Sequence, residues 1–303
     1  MAKKIVKLMG GLGNQMFQYA FGKQLEKKHK CEVLYDLSWF ELIKRKRLEN
    51  PEEFADIILV RNYALDIFPN LEIKFASEKE IKKVCFPRFN KIRRLFGIKP
   101  KSGIVREKNA FIYEPELLEK RGACCFEGYF QNEKYFLDMK DELLKIFELP
   151  KLKPEDTYNK NLLEKIQSCE NSVFVHVRRE DYVKLNRVIS QNYYKNAVKY
   201  IKERVEKPKF FVFCAEDADY IKTKFDIGEE FEVIGDKNKT NENFYENLRL
   251  MMACKHAIIA NSSYSWWAAW LSSQNKGIII APSPWLDGQS EVICEDWVKI
   301  KNN

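Results

Sequence analysis

The second half of the chain alternates between two hydrophobic periodicities, and this alternation limits the possible fold more than any other feature. Short apolar runs typical of buried strands lie at 172–178, 207–214, 231–234, 256–260 and 277–281. Helical patterns separate them at 191–206, 217–226, 242–254 and 264–272. Repeated strand–helix units predict a parallel sheet covered by helices and joined by right-handed crossovers. We therefore expect an α/β domain here.

The first strand of this half leads directly into two arginines, within residues 171–181 (NSVFVHVRRED). Its continuous apolar run is typical of a strand buried on both faces. Open α/β sheets bind ligands beyond the carboxyl ends of their strands, so Arg178 and Arg179 are expected where a phosphate or carboxylate would lie. A guanidinium group offers planar, bidentate donors to such an anion. The alternative is that His176 is a core histidine and the arginines pair with neighbouring acids.

The start of the chain has the pattern of a nucleotide-binding unit. A strand is predicted at 4–9, a glycine turn at 10–13 (GGLG) and a helix from Asn14 to about residue 28. Glycines allow a ligand close to the backbone, and a helix start favours an anion. The next strand, 32–35, ends at Asp36, where a dinucleotide-binding fold places its ribose-binding acid. An NAD- or FAD-binding oxidoreductase is therefore an alternative, although the final glycine of GxGxxG is missing.

The stretch between these two patterns is less regular. Pro51, Pro69, Pro87 and Pro100 interrupt the patterns within residues 37–122, which we expect to be specialised for a partner or substrate. A strand is predicted at 123–129 and a helix at 133–147. The segment 149–156 (LPKLKPED) carries two prolines and mixed charge, which indicates a domain boundary.

The length and composition fit two globular domains. The chain has 303 residues, 45% of them hydrophobic and 14% aromatic. We expect an α/β fold in which two Rossmann-like domains, 1–150 and 151–303, face each other across a cleft. No apolar run approaches the ~20 residues of a membrane span, and the start of the chain does not resemble a signal peptide, so a cytoplasmic protein is expected. Eight scattered cysteines and three histidines indicate reduced, mostly buried thiols without a metal site.

Positive charge is concentrated in one segment. From Lys82 to Lys101 there are eight basic residues and no acidic ones, interleaved with aromatic and aliphatic residues. This pattern predicts either a solvated face or peripheral contact with the anionic inner membrane surface. A basic protein that binds nucleic acid or membranes through this segment is a third hypothesis, but it leaves the arginine pair unexplained. We expect no nucleic-acid partner.

Two further strand ends carry polar groups. Glu216 and Asp217 follow one strand and would bind a base or ribose, cap a helix or, with Asp219, hold a metal ion. The first two readings are favoured because the arginines already supply positive charge. Residues 261–265 (NSSYS) follow another strand and form either a phosphate cradle or an ordinary helix cap. The tryptophans after them share one helical face, which favours core packing.

Three motifs in this order, GGLGNQMFQYAFG, HVRRED and NSSYSWWAAWL, make the chain similar to the bacterial α-1,2-fucosyltransferases of glycosyltransferase family eleven. The resemblance implies a GT-B fold that binds GDP-fucose mainly through its C-terminal domain and the acceptor mainly through its N-terminal domain. It also implies inverting transfer of L-fucose to the 2-hydroxyl of a terminal galactose, on a glycan such as an O-antigen unit or oligosaccharide. No metal or cofactor is expected to be required.

The resemblance also implies residue roles. Arg178 would contact the leaving diphosphate and, like Asp181, is a candidate catalytic residue. Asp181 would orient the arginines or act as the general base; Glu180, Asp36 or no protein base are the alternatives. His176 would lie near the nucleoside. The remaining expected contacts to GDP-fucose are Gly11, Gly13, Asn14, Gln15, Arg179, Glu216, Asp217, Ser262 and Ser263.

Overall fold

The computed structural model describes residues 3–50, 62–86, 95–96, 103–214, 218–238, 243–272 and 275–302, with residues 180 and 181 described by their backbone only. The chain divides into two compact units, Met1–Glu148 and Leu149–Asn303, called here the N-terminal and C-terminal units.

The N-terminal unit is built on a four-stranded parallel sheet. Its strands are β1 (Lys4–Lys7), β2 (Val33–Asp36), β3 (Ile104–Arg106) and β4 (Cys124–Glu127), in the order β2-β1-β4-β3. Its α-helices include α1 (Leu12–His29), α2 (Ser38–Glu49), α3 (Glu78–Cys85) and α4 (Lys140–Ile146). Single 3₁₀ turns lie at Leu65–Ile67, Pro115–Leu117, Glu133–Tyr135 and Leu137–Met139.

Helix α1 begins two residues earlier than the sequence predicts. Gly11 is its N-cap residue, so Gly13 lies in the first helical turn rather than in the preceding loop. Gly10 has φ +78, a left-handed conformation that glycine adopts without strain. The helix ends after Lys27, Lys28 and His29, where positive charge is favourable beside the free carbonyl groups.

The predicted helix at 133–147 is broken into shorter pieces. Two 3₁₀ turns precede α4, and Phe136 between them has φ −145, which is not helical. Tyr135 and Phe136 are both fully buried, and the Tyr135 ring packs edge-on against Phe21 of α1 at 5.3 Å. Packing of these aromatic side chains therefore outweighs the helical pattern of the sequence.

The prediction that the thiols are reduced is wrong for one pair of cysteines. Cys85, at the end of α3, forms a disulfide with Cys125 of β4. The bond lies in a small apolar cluster with Ile5, Leu34 and Val84. The free thiols in the described part of the chain belong to Cys31, Cys124, Cys169, Cys214, Cys254 and Cys294.

The C-terminal unit contains a six-stranded parallel sheet. Its strands are β5 (Ser172–His176), β6 (Lys209–Phe213), β7 (Phe231–Ile234), β8 (His256–Ile258), β9 (Ile279–Ser283) and β10 (Val298–Lys301). Its helices include α5 (Thr157–Gln167), α6 (Glu180–Lys184), α7 (Gln191–Lys202), α8 (Ala218–Thr223), α9 (Glu246–Met252) and α10 (Ser263–Ser272). The strand order is β10-β9-β8-β5-β6-β7, and every pairing is parallel.

This strand order identifies where a ligand would bind. Counted from β5, the sheet runs 6-5-4-1-2-3, which is the doubly wound Rossmann order. The chain leaves β5 towards β6 and β7 and later returns to place β8 on the other side of β5. The carboxyl ends of β5 and β8 thus form the topological switch point, where such sheets bind ligands. The predicted α/β class with two Rossmann-like parallel sheets is confirmed.

The core of the C-terminal unit explains the apolar strands and the aromatic helix. Tyr193, Val198 and Ile201 of α7 are buried in one cluster with the apolar residues of β5 and β6. Helix α10 buries three tryptophans, with 0% of Trp266, 0% of Trp267 and 1% of Trp270 exposed. The predicted role of these tryptophans in core packing is confirmed. Trp285 and Trp297 are also buried in this unit.

The basic segment from Lys82 to Lys101 lies largely outside the described residues. Where it is described, the side chains of Phe86, Leu95 and Phe96 are exposed. No helix in the described part of the chain has the length and apolar character needed to cross a membrane.

Candidate active site

The strand register brings two of the sequence motifs to neighbouring positions. Val175 of β5 pairs with Ile258 of β8, so the residues that follow both strands leave the sheet side by side. The hydroxyl of Tyr182, on α6, donates a 3.0 Å hydrogen bond to the main-chain oxygen of Asn261. The Asn261 side-chain Nδ2 donates to the main-chain oxygen of Arg187 at 3.1 Å. The HVRRED and NSSYS motifs therefore form one connected structure at the switch point.

His176 ends β5 within this structure and is only 8% exposed. Its ring lies 6.2 Å from the ring of Tyr264, measured between centroids. Burial, helped by the nearby charge of Arg178, lowers the pKa of His176 to about 3. The imidazole is therefore neutral at physiological pH. Its Nδ1 is buried and has no hydrogen-bond partner among the described residues, which is rare for a buried polar atom.

Asn261 supplies a second buried polar atom of this kind. Its side chain is 3% exposed, and within the described chain its Oδ1 accepts no hydrogen bond. Because Nδ2 donates to Arg187, the orientation of the amide is fixed. Asn261 lies next to the predicted Ser262 and was not itself among the expected donor contacts.

Ser262 and Ser263 stand at the start of α10, directly beyond β8. The main-chain oxygen of Ser262 accepts the first helical hydrogen bond, from the N–H of Trp266 at 3.0 Å. The N–H groups of the first helical turn have no partners within a helix, and they carry partial positive charge. These two serines therefore occupy a position suited to a phosphate group.

The two arginines have different surroundings. The guanidinium carbon of Arg179 lies 3.5 Å from the ring centre of Tyr220, a close cation–π contact. The guanidinium carbon of Arg178 lies 5.7 Å from the ring centre of Tyr182. Both side chains are partly exposed. Arg179 is thus held against the fold by stacking, whereas Arg178 is placed beside the connection between the two motifs.

Three predicted site residues fall outside the geometry that the structure describes. Glu216 and Asp217 lie in the gap between β6 and α8. Asp181 belongs to α6 by its backbone, and the same is true of Glu180. Their side-chain roles stay predictions.

In the N-terminal unit, Gln15 has a structural position. Its Nε2 donates to the main-chain oxygens of Gly10, at 3.0 Å, and Asn62, at 2.8 Å. Its Oε1 accepts from the N–H of Ala64 at 2.9 Å, and the side chain is fully buried. Because both polar side-chain atoms of Gln15 are hydrogen-bonded, we infer that Gln15 supports the glycine turn.

The other predicted residues of this turn lie closer to the surface. Gly11 and Asn14 are partly exposed, and Gly13 is buried in α1. The Asn14 Oδ1 accepts from Gln131 Nε2 at 2.8 Å. A side chain at Gly10 would place its Cβ 2.5 Å from Asn14 Nδ2, so the turn needs glycine there. Of the four predicted contacts, Gly11 and Asn14 are the best placed to reach a ligand.

Glu107 is a candidate site residue that the sequence did not indicate. It follows β3 at the carboxyl end of the sheet, and burial raises the pKa of its carboxyl group to about 7. It was missed because β3 is short and lies in the stretch 37–122, which has no regular pattern. An apolar strand ending in an acid, IVRE, is the signal that could have identified it.

The Asp36 carboxylate, by contrast, accepts hydrogen bonds within its own turn. Its Oδ1 accepts from the N–H of Ser38 at 2.8 Å and its Oδ2 from the Ser38 hydroxyl at 2.9 Å. The carboxylate is 5% exposed. These bonds are those of a local turn at the start of α2.

Comparison with known proteins gives a consistent family. The family model for glycosyl transferase family 11 matches residues 120–301. An alpha-1,2-colitosyltransferase from Escherichia coli is 33% identical, with 98% of both chains covered. The O-antigen biosynthesis glycosyltransferase WbnK from Escherichia coli is 29% identical, covering 97% of this chain and 99% of that one. The solved fucosyltransferase NodZ from Bradyrhizobium aligns with a TM-score of 0.48 and 14% identity, covering 88% of this chain and 91% of that one.

These matches decide against an oxidoreductase, because the family model spans more than half of the chain and the sequence likeness extends over nearly all of it. They confirm the resemblance carried by the three motifs: this chain belongs to glycosyl transferase family 11.

Proposed function

We propose that the protein transfers L-fucose from GDP-fucose to the 2-hydroxyl of a terminal galactose, with inversion and formation of an α-1,2 linkage. The observation that carries the proposal is the switch point of the C-terminal unit, where the arginine motif and the start of α10 are joined by Tyr182 and Asn261. A relative that is named as an alpha-1,2-transferase and another named for O-antigen biosynthesis support the linkage and a glycan acceptor.

The chemistry requires positive charge at this position. Breaking the bond between sugar and phosphate develops positive charge on the sugar ring and negative charge on the departing diphosphate. Arg178, Ser262, Ser263 and the N–H groups at the start of α10 are the groups that would stabilise that negative charge. Interactions that strengthen in the transition state accelerate the reaction, so Arg178 is the proposed catalytic cation.

The neutral state of His176 fits a role beside the nucleoside. A protonated imidazole next to Arg178 would be repelled by it, and burial excludes that state near neutral pH. A neutral imidazole can offer or accept one hydrogen bond at Nδ1 and leaves the charge balance of the diphosphate to the arginines. We accordingly propose that the C-terminal unit binds the donor, with Arg179, Glu216 and Asp217 contributing contacts. We propose that the N-terminal unit binds mainly the acceptor, and that its Gly11 and Asn14 are among the contacts to GDP-fucose.

A second donor is favoured by a specific comparison. The relative with 33% identity is named as a colitosyltransferase. Colitose is L-fucose without its 3-hydroxyl group, so the two sugars share a ring configuration and a 6-methyl group. GDP-colitose is therefore the alternative donor. A site that hydrogen-bonds the 3-hydroxyl would reject colitose strongly, whereas a site that leaves it in water would accept both sugars.

A donor panel tests the proposal. The purified protein is incubated with GDP-fucose, GDP-colitose or UDP-galactose and a galactose-terminated oligosaccharide, and the product linkage is determined by NMR. We expect an α-1,2-linked fucosyl product, formed equally well in the presence of EDTA. A product formed only with GDP-colitose would replace fucose by colitose, and no transfer from either GDP-sugar would contradict the proposal.

Contact with the inner membrane surface through the segment from Lys82 to Lys101 is a separate proposal. It predicts cosedimentation with vesicles that contain anionic phospholipids, and loss of that binding at high salt. Vesicles of neutral phosphatidylcholine are the control.

A further inference from the structure

Glu107 is held at the carboxyl edge of the N-terminal sheet by hydrogen bonds from the loop that follows β4. Its Oε2 accepts from the N–H of Tyr129 at 2.7 Å. The N–H of Phe130 is shared between Oε1, at 3.0 Å, and Oε2, at 3.1 Å. A carboxylate has about four acceptor sites, so one site on Oε1 is left for another donor.

The loop that donates these hydrogen bonds is held in a defined conformation. Phe130 has φ +53, a left-handed conformation that is uncommon for an aromatic residue. Its ring is fully buried and stacks on Phe21 of α1 with 4.0 Å between centroids. Gly128 allows the close approach, because a Cβ there would lie 2.7 Å from Glu107 Oε2. The carboxylate is therefore positioned by a buried aromatic anchor.

The charges around Glu107 do not favour its ionised form. The adjacent cations are engaged elsewhere, since Arg106 Nε donates to Glu127 at 2.9 Å and Lys108 Nζ to Glu116 at 3.1 Å. The titratable groups that act on Glu107 or feel its charge from neighbouring segments are Glu114, Tyr129 and Tyr135.

A carboxylate that only accepts hydrogen bonds from backbone N–H groups normally has a lowered pKa. Here the two backbone bonds do lower the pKa of Glu107, but burial outweighs them and raises it to about 7. Groups that exchange a proton near neutral pH in this way are concentrated at functional sites.

We propose that the Glu107 carboxylate accepts the proton of the acceptor hydroxyl while that oxygen attacks the donor sugar. The hydroxyl oxygen forms a bond to the anomeric carbon, and the bond between that carbon and the diphosphate oxygen breaks. The bonding electrons leave with the nucleoside diphosphate, and the hydroxyl proton moves to Oε1 of Glu107, which later releases it to water. This inference rests on the proposed function, because it assumes that the N-terminal unit receives the acceptor.

The structure favours Glu107 over Asp36 for this task. Asp36 is the last residue of β2 and Glu107 follows β3, so both acids lie at the carboxyl edge of the same sheet. Asp36 uses both oxygens within its own turn to Ser38. Glu107 is partly exposed and retains an acceptor site.

The test is the pH dependence of transfer by the full-length enzyme, measured as kcat/KM for the acceptor with whichever GDP-sugar the donor panel identifies. For the native protein we expect activity to rise with pH through an apparent pKa of about 7. Glu107→Gln should lower transfer by ~10²-fold or more and remove this pH limb. Glu107→Asp keeps a base at greater distance, so it should retain the limb with partial activity.

Glu114→Gln is the matched control. Glu114 is also a buried carboxylate that accepts two backbone N–H bonds, from Lys108 at 2.7 Å and Asn109 at 3.1 Å. Its substitution should lower the melting temperature and keep the pH limb, shifted slightly to lower pH because one negative charge near Glu107 is removed. Circular dichroism shows whether each variant is folded, and calorimetry should give unchanged GDP affinity for Glu107→Gln.

Two results would overturn the inference. One is transfer by Glu107→Gln within about threefold of the native rate, because a threefold loss is far smaller than the usual effect of losing a general base. The other is persistence of the same pH limb in Glu107→Gln. Failure of the proposed function would appear differently, as an absence of transfer from GDP-fucose by the native protein in the donor panel.

Discussion

Tyr182 is bonded to Asn261 through a 3.0 Å hydrogen bond from its hydroxyl to the main-chain oxygen. The bond joins the short helix after the arginine pair to the turn that starts α10. Each partner follows a different strand at the switch point, so the geometry of both motifs depends on this connection. A second hydrogen bond, from Asn261 Nδ2 to the main-chain oxygen of Arg187, also joins these two segments.

Removing the Tyr182 hydroxyl should therefore weaken donor binding. Tyr182→Phe keeps the ring beside Arg178 and deletes one hydrogen bond, worth about 1 kcal/mol or roughly fivefold in affinity. Isothermal titration with GDP measures the change. Tyr158→Phe is the control, because it deletes a 3.1 Å hydrogen bond of another tyrosine hydroxyl in the same unit, to the carboxylate of Asp236 beyond β7. Equal effects of the two variants would show that the connection to Asn261 has no special role.

Arg178 and Arg179 should respond differently to substitution. Arg178→Ala is expected to remain folded and to lose ~10²-fold or more in turnover, as for loss of one transition-state donor. Sugar transfer at saturating donor gives this value. Near-normal turnover would remove Arg178 from the catalytic role.

Arg179→Ala should also destabilise the C-terminal unit, since its 3.5 Å stacking on Tyr220 is lost. A partly desolvated cation–π contact is worth about 0.5–2 kcal/mol. Arg204→Ala, which removes a similar 3.7 Å stacking on Tyr200, provides the comparison, and urea unfolding measures both. If Arg179→Ala lowers turnover without any loss of stability, the stacking is not structural.

The buried His176 should make stability depend on pH. Its pKa is about 3 in the folded protein and 6.5 without burial, so the unfolded chain binds the proton more tightly. The resulting stability is present above pH 6.5 and is lost as pH falls towards 3, at up to about 1.4 kcal/mol per pH unit. Urea unfolding at pH 7 and pH 5 should show a smaller decrease for His176→Gln than for the native protein. An identical decrease would mean that His176 does not control it.

The disulfide between Cys85 and Cys125 gives a prediction about thiol content. Under non-reducing conditions, denatured protein should expose six reactive thiols, and all eight cysteines should react after reduction. The bond encloses 40 residues, for which chain entropy suggests roughly 4 kcal/mol of stabilisation. Cys85→Ala should therefore lower the melting temperature of the oxidised protein, whereas Cys31→Ala should change it little. Eight reactive thiols without reductant would contradict the bond.

The sequence predicted the elements whose signal is local. Continuous apolar runs identified β5 and β8, and the tryptophan-rich pattern identified α10 as a core helix. These elements could be predicted because buried segments consist mainly of apolar residues. The motifs at the ends of these strands follow from the same reading.

Other features depend on contacts between distant segments. β10 is a four-residue edge strand, too short for its alternating pattern to stand out. The partner of Cys85 lies 40 residues away, and the role of Gln15 depends on a segment 47 residues downstream. The raised pKa of Glu107 arises from burial, which outweighs the lowering by hydrogen bonds from a loop 22 residues later, and no local pattern encodes either effect.

The position of the buried tryptophans has a spectroscopic consequence. Of the six tryptophans, five belong to the C-terminal unit: Trp266, Trp267, Trp270, Trp285 and Trp297. Trp39 is alone in the N-terminal unit. Fluorescence excited at the red edge of tryptophan absorption therefore reports almost entirely on one unit. An unfolding curve recorded that way would mainly follow the C-terminal unit, and separate melting of the N-terminal unit would be followed better by tyrosine emission or circular dichroism.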